Sequence, residues 1–127
     1  MFEKKEKSYT DLLGKTNRIV EGTSITGNIE SIADFRLDGV LTGNFTSKGK
    51  LVIGPAGGVT GDIIAQNVDV EGKADGKIAV EETLNVKSTA VINGEVTCSK
   101  LAVEPGAKFT ATCVMQSSSL KNDASES

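Results

Sequence analysis

The sequence predicts an all-β protein, a parallel β-helix of about six turns with disordered termini, and three observations predict it. Valine and isoleucine alternate with polar residues from about Ile19 to Met115, a period of two that suits strands and not helices. Apolar side chains recur in four columns at steps of 15 to 18 residues, the mark of a stacked repeat. Glycine- and proline-rich punctuation returns at the same point of each repeat, where a corner needs a positive or a fixed φ.

The elements follow in order. Residues 1–18, MFEKKEKSYTDLLGKTNR, carry five basic and three acidic groups and read as a disordered N-terminal arm. Within it only Tyr9 to Leu13 has a helical look, closed by Gly14. Residues 19–115 form the repeat. The first column is Ile29, Phe45, Ile63, Ile78, Val96 and Cys113, each two residues after Gly27, Gly43, Gly61, Gly76, Gly94 or Ala111. The second is Leu37, Ile53, Val70, Val86 and Val103; the third is Ile19, Phe35, Leu51, Val68, Leu84 and Leu101; the fourth is Ile25, Leu41, Val59, Ala74, Ile92 and Phe109. Between the second and fourth columns the corner has three residues (21–23, 38–40, 71–73) or five (54–58, 87–91, 104–108). Residues 116–127, QSSSLKNDASES, read as a disordered tail.

Stacked turns lie roughly 4.8 Å apart, and each buried aliphatic side chain contributes roughly 1.5–3 kcal/mol. Such columns offset the ordering entropy with only 4% aromatic residues. A sandwich or barrel has no reason to keep one phase for six turns. Ser31, Ser47, Ala65, Val80, Cys98 and Met115, two residues beyond the first column, face inward again. Cys98 and Cys113 then sit one turn down and two residues along, with Cα atoms about 8 Å apart. That is beyond disulfide reach, so both read as small buried hydrophobes.

The composition removes several chemistries. There is no histidine, the commonest general base and metal ligand near neutral pH. The formal charge is −3, without the basic excess of a nucleic-acid binder. No apolar run approaches a membrane span and no signal-peptide core is present, which points to a reduced cytosolic setting. Hexapeptide acyltransferase helices keep turns close to 18 residues and need a histidine. Polysaccharide-cleaving helices carry longer corners. The ladder of Thr26, Thr42 and Thr60 breaks at Asp75 and Asn93, as an ice-binding face would not. Glu81–Glu82, Asp69 with Glu71 and Asp34 with Asp38 lack the oxygen-rich loop of a calcium site. The glycines around 54–61 have no Gly-Lys-Ser/Thr and no following helix. Neither a cofactor nor a nucleotide is expected, and the chain reads as a non-enzyme.

A β-helix without caps exposes strand edges and an apolar cross-section at each end. The last turn leaves Leu101, Val103, Phe109, Cys113 and Met115 facing along the axis, and the first leaves Ile19, Ile25 and Ile29. The nearest partner for such ends is another copy, and end-to-end stacking gives an open filament. The alternative is that Leu12-Leu13 folds over the N-terminal end.

The basic N-arm starting Met1-Phe2, the repeats LDGVLTGNF and VIGPAGGVTGDI, and the short polar tail together resemble a bactofilin over essentially the whole chain. The resemblance implies a right-handed triangular β-helix, nucleotide-independent cytoskeletal filaments, and attachment to the inner face of the cytoplasmic membrane. It also implies service as a scaffold for cell-shape and cell-wall enzymes. By the same resemblance, Met1, Phe2, Lys4, Lys5 and Lys7 match the membrane-targeting segment. Phe109 matches the large apolar residue of the last turn that supports assembly. Weak single-arm binding to anionic lipid would gain by avidity along a filament. The competing reading, from another class, is a solenoid enzyme or carbohydrate-binding module.

Overall fold

A computed structural model describes residues 16–116, and within them the chain is all-β, with fifteen strands and no helix. Six rungs follow one another. The first contains β1 (Thr16–Ile19), β2 (Ser24–Thr26) and β3 (Ile29–Ser31); the second contains β4 (Asp34–Leu37), β5 (Val40–Thr42) and β6 (Phe45–Ser47). The third contains β7 (Lys50–Ile53), β8 (Gly58–Thr60) and β9 (Ile63–Ala65). From the fourth rung the second and third strands run on as one. These rungs are β10 (Asn67–Val70) with β11 (Lys73–Val80), β12 (Thr83–Val86) with β13 (Val91–Cys98), and β14 (Lys100–Val103) with β15 (Lys108–Met115).

Every pairing is parallel and joins one rung to the next. The strands therefore stack in three faces: β1-β4-β7-β10-β12-β14, then β2-β5-β8 continued by the first halves of β11, β13 and β15, then β3-β6-β9 continued by their second halves. The corner between the second and third faces is a glycine ladder. Gly27, Gly43, Gly61, Gly76 and Gly94 have φ from 122° to 149°. A Cβ built on Gly61 would collide with the carbonyl oxygen of Gly43 one rung below. The ladder thus requires glycine twice over, for its dihedral and for rung spacing.

The axis is filled by the apolar columns. Phe45 stacks in register on Ile29 and Ile63, and Leu84 on Val68 and Leu101. From Phe35 to Cys98 the inward side chains form one buried cluster. The buried Ser47 hydroxyl is satisfied, donating to the Ala33 carbonyl (3.1 Å) and accepting from the Gly49 N–H (2.9 Å). All four columns hold from the second rung to the sixth.

The first rung differs from expectation. Ile19 pairs with Leu37, and Asn17 pairs with Phe35. Ile19 therefore belongs to the second column, and Asn17 occupies the third. The first corner is accordingly of the five-residue kind, residues 20–24, with the Thr23 N–H donating to Val20 O at 3.3 Å. The same reverse bond recurs from Gly57 to Gly54, Ala90 to Lys87 and Ala107 to Glu104. Residues 16–18, expected in the arm, belong to β1 because their backbone pairs with β4. Gln116, expected in the tail, still donates its N–H to Cys98 O at 2.9 Å. The rest of the expected disordered arm and tail lies outside the described residues.

Candidate functional site: the two ends of the solenoid

Each end presents strands paired on one side only. At the N-terminal end β1, β2 and β3 pair with β4, β5 and β6 and with no other described strand. At the C-terminal end β14 and β15 pair only with β12 and β13. The outer strands of both ends therefore carry backbone donors and acceptors with no ladder partner among the described residues, the template a further strand needs.

The side chains of the last rung continue the core columns to the surface. Leu101 lies on Leu84, Val103 on Val86, Phe109 on Ile92, Cys113 on Val96 and Met115 on Cys98. Leu101, Phe109, Ala111 and Cys113 pack on the core while remaining partly exposed. Val103 and Met115 are 45% and 52% exposed, against 0% for Val86 and Cys98 directly beneath them. The sequence-expected residues of this end are thus brought together on one apolar cross-section.

The first rung is built of the same columns but is less apolar. Ile25 lies on Leu41, Ile29 on Phe45 and Ile19 on Leu37, all partly exposed against the core. The remaining inward positions are Asn17 and Ser31, joined by a hydrogen bond from Asn17 Nδ2 to Ser31 Oγ at 3.3 Å. Beside them Val20 is 59% exposed. Asp38, nearly buried, ties rung two to rung one by accepting from Arg36 Nε (3.0 Å) and pairing with Arg18 Nε (3.5 Å). That contact holds the Arg36 guanidinium pKa above its ordinary value, chiefly through the hydrogen bond to Asp38.

Sequence reasoning passed over a lateral feature. Thr46, Ile64, Ala79, Thr97 and Val114 form one outward column on the third face, and Ile64 and Val114 are more than half exposed. The signal was present: Ile63, Ile64 and Ala65 are three apolar residues in succession, which breaks the alternation of a half-buried strand. Met1, Phe2, Lys4, Lys5 and Lys7 lie outside the described residues. Among the described residues no group of three His, Cys, Asp or Glu side chains converges as a metal site, and no helix is long and apolar enough to cross a membrane.

The segment that folds into these six parallel rungs also matches a known protein family. "Bactofilin: Polymer-forming cytoskeletal" matches residues 17–114. The chain belongs to the bactofilin family. It is similar to bactofilin BacO of Myxococcus xanthus (strain DK1622), 28% identical over 102 residues that cover 79% of each protein. No solved structure matches it. As a bactofilin the chain is a member of a structural, polymer-forming cytoskeletal family, and self-association is the family's defining property. The matched segment begins at Asn17, inside β1, in agreement with the strand boundary.

Proposed function

We propose that this bactofilin joins end to end through both ends of its solenoid, forming filaments without nucleotide. These filaments would lie on the inner face of the cytoplasmic membrane, held by Met1, Phe2, Lys4, Lys5 and Lys7, and display cell-shape or cell-wall factors. The observation that supports end-to-end joining most directly is the rise in exposure along each column at its last position, as from Val86 to Val103. An apolar cross-section bordered by single-sided strands is stabilised when a second copy continues both the column and the ladder.

Purified protein is expected to pellet on ultracentrifugation without nucleotide and to show filaments by electron microscopy. A protein remaining monomeric at high concentration would overturn the reading. Membrane attachment is tested separately. Deleting residues 2–7 should abolish co-sedimentation with anionic liposomes while leaving the filaments, and unchanged lipid binding would remove the arm from the proposal.

A further inference from the structure

The chain contains two cysteines and two methionines. Apart from Met1, every sulfur atom converges on one spot at the C-terminal end. Met115 stacks in register on Cys98, and Cys113 lies two residues earlier on the same strand, so it points to the same side. The Met115 sulfur lies 3.8 Å from the Cys98 sulfur and 3.8 Å from the Cys113 sulfur. Two rungs below, the equivalent positions hold only hydrocarbon, Ile78 and Val80. Packing alone therefore does not call for sulfur in these columns.

We propose that Cys98, Cys113 and Met115 form a three-sulfur site for a soft monovalent metal ion, copper(I). Metal–sulfur bonds of about 2.3 Å around a three-coordinate ion place sulfurs about 4 Å apart, close to the two separations from the Met115 sulfur. Two thiols and a thioether form the donor set that selects copper(I), whereas calcium and magnesium require oxygen. Structural zinc prefers four ligands, and no fourth His, Cys, Asp or Glu donor joins this cluster among the described residues. Access is along the axis, since Met115 is 52% exposed and Cys113 is partly exposed. Binding forms two copper–thiolate bonds and one copper–thioether bond, releases the two thiol protons to solvent, and leaves the oxidation state of the metal unchanged.

All three donors come from one chain, so the site needs no second copy; the proposed filament junction would cover it, so it is read in dispersed protein below the polymerisation concentration. The test uses the full chain under anaerobic, reducing conditions, with copper(I) titrated against a coloured copper(I) chelator. The protein should withhold about one equivalent per chain from the chelator. Met115→Leu keeps the side-chain volume, and Cys113→Ala alters only the terminal rung. Both should remain folded by circular dichroism and hold copper at least ten-fold less tightly. Ile25→Arg, at the opposite end, should hold it as the wild type does, including where it shortens filaments. The site is overturned if the chelator takes all the copper from the wild type, if Met115→Leu retains it unchanged, or if zinc(II) is held as tightly.

Discussion

The interior rungs and the terminal rungs of the solenoid are written in the same sequence pattern but differ in what the pattern achieves. In rungs two to five the columns are closed on both sides; Leu37, Leu51, Val68, Leu84 and Ile92 are fully buried. In rungs one and six the same columns run out, and among the described residues Ile19, Ile25, Leu101 and Phe109 are only partly buried, packed against the core from one side. Burial along the axis stabilises the fold in the middle and leaves unsatisfied apolar area at the ends. One device thus supplies stability in the middle and, on the proposed function, adhesion at the ends.

The glycine ladder gives the largest expected contrast. Gly61→Ala drives a methyl into the Gly43 carbonyl and places alanine at φ 143°, so a loss of more than about 4 kcal/mol is expected, in the range that single mutations rarely exceed. Gly27 has a similar φ of 132°, but a Cβ there meets nothing within 4 Å. Gly27→Ala should then cost only the dihedral strain, about 1–2 kcal/mol. Urea unfolding of the two variants measures the difference. Equal costs would mean that the rungs are not held at the spacing described.

Large-to-small substitutions in one column sharpen the contrast. Leu84→Ala empties a fully enclosed position and should destabilise by about 2–5 kcal/mol. Leu101→Ala, directly above it in register, opens to the end of the solenoid and should cost less than half as much in the dispersed protein. In filaments the two costs should converge, because a junction would enclose Leu101 as well. Thermal unfolding below and above the polymerisation concentration separates these cases.

The next test sets the two ends against each other. The C-terminal cross-section is apolar throughout, whereas the N-terminal one includes the hydrogen-bonded Asn17 and Ser31. Phe109→Arg places a cation in the more apolar junction and should leave folded, soluble short species in a pelleting assay. Ile25→Arg should shorten filaments less severely. Filaments of wild-type length from Phe109→Arg would exclude this end as an interface.

Much of this arrangement is legible in the sequence because stacking forces periodicity. Each inward residue from Phe35 to Phe109 has a counterpart about 17 residues away on the same column, and the four columns confirm one another's phase. The phase fails only at Ile19, which pairs with Leu37 and not Phe35. An end rung is covered on one side, so its third column tolerates Asn17, and the apolar residue that would have fixed the phase is missing. The end residues themselves were legible because the repeat stops abruptly. The outward column through Ile64 and Val114 was not, since an outward hydrophobe carries no period of its own. The sulfur cluster was only half legible: phase placed Cys98, Cys113 and Met115 in inward columns, but their convergence depends on rotamers.

The smallest effect concerns Cys98, the last enclosed residue of its column. Its thiol pKa is pushed up to about 11, chiefly by burial, with the neighbouring Cys113 thiol adding to it. In the unfolded chain the thiol ionises near its ordinary value of 9.0, so between these values the unfolded state loses a proton that the folded state keeps. Stability from this group is therefore fully present below about pH 9 and is lost as the pH rises toward about 11. Cys98→Ala removes that slope while leaving every lysine in place. The gap in urea midpoint between wild type and Cys98→Ala should accordingly change through this window, in the direction that disfavours the wild type at higher pH. A gap that stays constant across this window would show that burial does not hold the Cys98 thiol protonated.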